Sequence, residues 1–238
     1  MKRSKRQGRD DAEEEVFLDC CVDPQYLKDT RTSGPFYRQS QKQKRNVQGE
    51  LLIRIGVTGH RVLTDVEKIE AGVAQALQRI ELEFPGESLT VISALAEGAD
   101  RIVARAVLER PGARLIAPLP LSKSDYITDF KSPESRAEFL SLLDRAEDVI
   151  EVKPVTSRDE AYEIVGDYVI QHSDVLVAIW DGRDPQGRGG TGAIVERARA
   201  RRLPTAWVHA GNRDPESHEP MSLGVKQGLV SFERFKHS

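Results

Sequence analysis

The chain has little of several features that mark particular classes of protein. Its only cysteines, Cys20 and Cys21, are adjacent, so neither a disulfide framework nor a thiolate metal site is indicated. No apolar run approaches the roughly 20 residues of a membrane-spanning helix, and the basic first residues lead into acidic ones rather than into the apolar part of a signal peptide. We therefore expect a cytoplasmic protein without a membrane partner.

A strong excess of charge of one sign is also missing. The formal net charge is −3 at pH 7, divided into +3 on residues 1–49 and −6 on the remainder. Since nucleic acids are bound by clustered Lys and Arg, this mildly acidic body predicts no nucleic-acid partner. The histidines lack the spacing of metal ligands, and we predict neither a metal nor a cofactor.

The pattern along the chain divides it into three segments. Residues 1–49 mix charge runs with Gln and Ser, which predicts a flexible or loosely docked N-terminal arm. Strand and helix patterns alternate over residues 50–210, and a polar, turn-rich C-terminal tail follows over residues 211–238. Such alternation is typical of the α/β class, and it predicts a single Rossmann-like doubly wound parallel sheet.

Apolar runs and capping signals place the individual elements. The motifs Thr64-x-x-Glu67 and Ser157-x-x-Glu160 predict capping boxes that open two helices. The long stretch Pro118–Ser132 predicts a loop able to lie over a site. The predicted strands are Leu51–Val57, Leu89–Ser93, Arg114–Ala117, Val149–Val152, Val175–Trp180 and Thr205–Val208.

A strand followed by a glycine-rich turn and a helix is the most informative feature of the sequence. The apolar run that ends at Trp180 leads to Asp181 and Gly182, then to the turn 189–192 and a helix that carries Glu196. Glycines allow a sharp turn, and a helix N-terminus offers unpaired N–H groups to an anion. The pattern indicates a phosphate site on a nucleotide, although a tight turn without a ligand would share it.

Polar residues and glycines follow two further strands. A backbone turn and the Arg61 side chain at 58–61 could clamp a second phosphate; alternatively, Arg61 pairs with a surface acid. Asp100 either faces a ligand or stabilises a helix start. These turns should meet at the carboxyl edge of the sheet. The predicted ligand-binding residues are Thr58, Gly59, His60, Arg61, Ser93, Gly98, Asp100, Asp181, Gly182, Gly189, Gly190, Thr191, Gly192 and Glu196.

These turns resemble those of the SLOG superfamily, the Rossmann-like group that includes the Lonely Guy phosphoribohydrolases and nucleotide-sensing domains of bacterial immunity. The resemblance spans about residues 51–209. The family pattern Gly-Gly-x-Gly-Thr-x-x-Glu is matched by Gly189, Gly190, Gly192 and Glu196, whereas its threonine falls on Ala193. The motif around the family's catalytic arginine is not matched near Arg158.

The resemblance implies a sensor of a small, ADP-ribose-like nucleotide, acting as a homodimer with a separately encoded effector protein. An alternative is an N-glycosidase that splits nucleoside monophosphates, in which Glu196 or Asp181 would be catalytic. A third possibility is an interaction protein with a vestigial pocket. The incomplete motif at Ala193 and Arg158 favours the sensor over the enzyme.

Overall fold

The computed structural model describes residues 27–29, 52–153, 155–185, 187, 189–214, 217 and 219–236. Cys20, Cys21 and most of the predicted N-terminal arm lie outside these residues. The described chain forms one eight-stranded sheet with the order β1-β5-β4-β3-β2-β6-β7-β8. The strands are β1 Leu27–Asp29, β2 Leu52–Gly59, β3 Ser88–Ile92, β4 Arg114–Leu119, β5 Asp148–Val152, β6 Val175–Trp180, β7 Thr205–His209 and β8 Val230–Glu233.

Six strands, β2 to β7, are parallel, and one short antiparallel strand borders them at each edge. The helices are α1 Val66–Glu83, α2 Ala99–Leu108, α3 Lys123–Tyr126, α4 Pro133–Asp144, α5 Arg158–His172 and α6 Thr191–Ala200. None of the helices in the described part of the chain combines the length and apolar character needed to cross a membrane.

Helices cover both faces of the sheet, as β6 shows. All of its residues are buried. Val177 and Ile179 pack into the core that contains α1 and α2, whereas Leu176 and Ala178 pack into a second core with α5 and α6. Because successive side chains of a strand point to opposite faces, a strand between two helical layers is apolar throughout. The predicted doubly wound α/β fold is confirmed.

The direction of winding reverses beside β2. From β2 the chain adds β3, β4 and β5 on one side, and then continues with β6 on the other side of β2. In open parallel sheets, ligands bind beyond the carboxyl ends of the strands at such a reversal. The turns that follow β2 and β6 therefore mark the crevice in which a ligand site is expected.

The local predictions met different outcomes. Ser157 caps α5 as expected, since its Oγ accepts the Glu160 N–H. The capping box at Thr64 is wrong, because Asp65 is the N-cap residue of α1, with φ of 48°, and no side chain caps that helix. The stretch predicted as a loop contains α3 and a 3-10 turn, Ile127–Asp129. The strands β1 and β8 were not predicted; they are three and four residues long, too short for the apolar alternation of Val230 and Phe232 in β8 to be recognised.

Candidate functional site

A histidine and an aspartate join the two strands at the winding reversal. The Asp181 backbone N–H donates to Nε2 of His60 at 3.1 Å, and that nitrogen lies 3.2 Å from Asp181 Oδ1. Burial lowers the pKa of His60 below its ordinary value of 6.5, against the opposing effect of the Asp181 carboxylate. The imidazole is therefore neutral near pH 7, and the pair fixes the turn after β2 against the turn after β6.

The Asp181 carboxylate makes its polar contacts within the protein. Its Oδ1 accepts the Arg183 N–H at 3.1 Å, and its side chain is only 4% exposed. Gly182 has φ of +82°, and a side chain there would meet the Trp207 ring at 3.0 Å. Asp181 and Gly182 thus shape the turn, as the alternative interpretation of this pair requires.

The turn after β3 is closed by its own hydrogen bonds. Ser93 is buried, and its Oγ accepts the Leu95 N–H at 3.1 Å. Asp100, in the first turn of α2, accepts the Ala96 N–H at 3.2 Å. Burial raises the pKa of Asp100 to about 6, although hydrogen bonds and the Arg61 charge act in the opposite direction. Both polar side chains hold the loop that leads into α2.

Two of the predicted glycines are required by close backbone packing. A Cβ on Gly98, which has φ of +75°, would lie 2.5 Å from the Arg61 carbonyl oxygen. A Cβ on Gly59 would lie 2.4 Å from the Cβ of Ala99. The start of α2 therefore packs directly on the turn after β2, and Thr58, which is buried, belongs to the same packing.

Arg61 joins the turn after β2 to the glycine turn through a tyrosine that the sequence reasoning missed. Its guanidinium carbon lies 5.2 Å from the centroid of the Tyr162 ring. Gly189 of the glycine turn packs against the same tyrosine, because a Cβ on Gly189 would lie only 3.0 Å from the Tyr162 Cβ. The Arg61 side chain is exposed, and among the described residues no carboxylate lies within 4.0 Å of it. Arg61 is therefore an exposed cation at the edge with no carboxylate in direct contact, although the more distant Asp100 charge acts on it.

The tyrosine on which Arg61 lies is itself hydrogen-bonded to a carboxylate. Asp129, in the 3-10 turn after α3, accepts hydrogen bonds from the Tyr162 hydroxyl and from Arg158. Arg158 is thus engaged in an ion pair. Tyr126 is fully buried next to this group, and its hydroxyl has no hydrogen-bond partner. The sequence of α5 does not distinguish Tyr162 from the other tyrosine of that helix, which packs in the core, so this residue was not predicted.

The glycine turn leads into α6 without a side-chain cap. Gly190 is the N-cap residue, and no side chain accepts a hydrogen bond from the first turn. A Cβ on Gly192 would lie 3.1 Å from Pro185, which is closer than ordinary packing allows. A Cβ on Gly190 would have its nearest contact at 3.4 Å, an ordinary van der Waals distance. Gly192 is therefore needed for packing, whereas packing does not explain Gly190. Thr191 begins the helix beside it.

Glu196 lies in the middle of α6. It is exposed on α6 and lines an open groove of about 460 Å³ with Glu163, Pro185, Gly187, Ala193 and Arg197. Asp181, the other predicted catalytic residue, does not line this groove. Among the described residues, no group of three or more His, Cys, Asp and Glu side chains is placed to hold a metal ion.

No protein-family model and no curated protein sequence matches this chain. Several solved structures resemble it, and two of them are DNA processing proteins. DNA processing protein A from Streptococcus pneumoniae has 16% identity and a TM-score of 0.45, over 65% of this chain and 49% of that protein. The chain thus spans about half the length of that structure.

DNA processing protein A from Helicobacter pylori has 18% identity and a TM-score of 0.43, over 71% of this chain and 68% of that protein. Its structure is described as showing a single-stranded DNA binding mode. No matching family model supports the resemblance to the SLOG superfamily, which stays a prediction.

These comparisons contradict two expectations. The prediction of a small-nucleotide sensor is wrong, because the similar structures are DNA processing proteins, one of which is described with a single-stranded DNA binding mode. The prediction of no nucleic-acid partner is wrong for the same reason. A glycine turn before a helix does not distinguish the phosphate of a mononucleotide from that of a strand. Net charge averages the whole surface, whereas a strand is bound by a few local cations.

Proposed function

We propose that this chain binds single-stranded DNA along the carboxyl edge of its sheet, with Arg61 in contact with a backbone phosphate. The observation that supports this is the placement of Arg61. It is an exposed cation at the winding reversal, it lies on Tyr162, and among the described residues it has no carboxylate partner. A phosphate would supply an anion in direct contact with this guanidinium.

The chemistry of the edge suits a phosphate diester. A guanidinium donates two parallel N–H bonds to phosphate oxygens, and stacking on Tyr162 limits its orientations before the strand arrives. The first turn of α6, which Gly190 leaves without a side-chain cap, adds backbone N–H groups and the positive end of the helix dipole. The turn after β6 carries a second partly exposed cation, Arg183, whose Nε lies 3.7 Å from the buried Asp181 Oδ2.

A single strand fits this edge better than a duplex does. Direct reading of a duplex requires a helix or a two-stranded ribbon in a groove. Arg61 and Arg183 instead follow the ends of two adjacent parallel strands, on turns that the His60–Asp181 contact holds together. An extended strand can follow such a row of turns with its phosphates, and this contact is independent of base sequence.

Fluorescence anisotropy with a labelled thymidine oligonucleotide of about 20 nucleotides, longer than the roughly 4–16 that one binding fold covers, tests this proposal. Arg61→Ala removes a charged hydrogen bond, so we expect affinity to fall by about 10- to 150-fold. The slope of log affinity against log salt should decrease by about 1. Arg145→Ala is the matched control, because Arg145 is an exposed arginine at the C-terminal end of α4, at the opposite edge of the sheet.

Wild-type protein that fails to bind the oligonucleotide at low salt would overturn the proposal. So would an Arg61→Ala variant with the affinity and the salt slope of the Arg145→Ala control. Melting temperatures of both variants would show that the fold is retained, since both side chains are exposed.

A further inference from the structure

A column of aromatic rings runs along the α6 face of β6 and β7. The His209 ring stacks on Trp207 with centroids 3.9 Å apart and an interplanar angle of 19°. Trp207 lies 5.2 Å from Trp180. These are the only two tryptophans of the chain, and Trp207 and His209 are half-buried. The core packing described above does not explain why a histidine lies at the end of this column.

The rings of the column are held in fixed positions by satisfied polar contacts. The Trp207 indole N–H donates to the Trp180 carbonyl oxygen at 2.9 Å, and His209 Nε2 lies 2.8 Å from Ser231 Oγ. The Arg199 guanidinium lies 5.4 Å from Trp180 and 5.8 Å from Trp207, and two hydrogen bonds to Glu233 hold it there. The interaction that remains available to a ligand is stacking on a ring face.

The column ends at the same edge as the proposed phosphate site. His209 is the last residue of β7, and its register partner is Trp180, the last residue of β6. Two strand spacings, roughly 10 Å, separate the end of β7 from the end of β2. A stacked strand advances about 3.4 Å per nucleotide, so about three nucleotides cover this distance. One strand can therefore contact Arg61 and reach His209.

We propose that the column is a nucleobase-stacking subsite, with His209 as the residue on which a base of the bound strand stacks. The inference rests on the proposed single-stranded DNA binding. One face of His209 is occupied by Trp207, and among the described residues no other ring stacks on it. A base on the opposite face extends the column. Stacking of this kind tolerates any base sequence, because every base has an aromatic face.

Two oligonucleotides of equal length separate this subsite from the phosphate contact: a thymidine oligonucleotide and an abasic one with the same sugar-phosphate backbone. Intrinsic fluorescence reports on the column directly, since both tryptophans belong to it. We expect the thymidine oligonucleotide to quench tryptophan emission and to bind more tightly than the abasic one. His209→Ala should weaken binding of the thymidine oligonucleotide by about 5- to 150-fold and leave abasic binding unchanged.

Two further variants complete the test. His209→Phe keeps an aromatic face and should restore quenching and affinity. His172→Ala is the matched control, because His172 also stacks on an aromatic ring, that of Tyr168, at 3.9 Å, but at the C-terminal end of α5. This control should bind both oligonucleotides as the wild-type protein does.

The outcomes separate the two proposals. Equal binding of both oligonucleotides, with no quenching and no effect of His209→Ala, would overturn the stacking subsite and leave the phosphate contact of Arg61 in place. Failure of the wild-type protein to bind either oligonucleotide would overturn the proposed function and this subsite with it.

Discussion

Substitution of Asp100 by asparagine should stabilise the protein at neutral pH. Burial raises the pKa of Asp100 from its ordinary 3.8 to about 6, a difference that corresponds to roughly 3 kcal/mol. Below the unfolded value the carboxyl is protonated in both states and carries no penalty. Between the unfolded pKa of 3.8 and the folded pKa of about 6, the unfolded state ionises while the folded state stays protonated, so the stability falls across this window and is constant above it. Asparagine keeps an oxygen acceptor for the Ala96 N–H and avoids the charge.

Urea denaturation of the wild-type and Asp100→Asn proteins across a pH series measures this effect. The quantity of interest is the difference between their free energies of unfolding, because other titrating groups cancel in it. The difference should be near zero below the unfolded pKa and should rise to at most roughly 3 kcal/mol in favour of the variant by about pH 8. A variant that is less stable than wild type at about pH 8, or a difference that does not change with pH, would refute the reasoning.

Three further substitutions test the packing. Gly98→Ala should lose on the order of 1–3 kcal/mol of stability, because Gly98 has a positive φ and its new Cβ would collide with the Arg61 carbonyl. Gly190→Ala should have the melting temperature of the wild-type protein, because its new Cβ would meet its nearest neighbour at an ordinary 3.4 Å. Equal melting temperatures for Gly98→Ala and Gly190→Ala would contradict this reasoning. Tyr126→Phe should leave the free energy of unfolding unchanged or raise it, since it removes a buried hydroxyl without a partner. A loss above about 1 kcal/mol in urea titration would show that this hydroxyl is satisfied.

The sequence carried enough information for the parallel sheet and for the turns at its edge. Alternating strand and helix patterns are local signals, and winding rules place the ends of parallel strands together. The contact between His60 and Asp181 follows from that geometry. The edge strands β1 and β8 were missed because they are three and four residues long, which is too short for an alternating apolar pattern to be recognised.

Individual side-chain roles were less predictable. Tyr162 supports Arg61 from a helix distant in sequence, and a helical apolar pattern does not show which ring reaches the edge. Ser93 and Asp100 have the residue types of a ligand site, yet both are engaged by nearby N–H groups. Polar residue types at a strand end indicate where hydrogen bonds are made, but not whether the partner is a ligand or the loop itself.

The two antiparallel border strands have a consequence for how the molecule avoids self-association. β1 pairs with β5 and β8 pairs with β7, so neither outer parallel strand exposes its full row of backbone N–H and C=O groups. An exposed flat edge is a template for pairing with another chain. A fragment limited to residues 50–210 would lack both border strands and uncover two such templates. Such a fragment would tend to polymerise edge to edge, whereas the border strands themselves are too short to recruit a further strand.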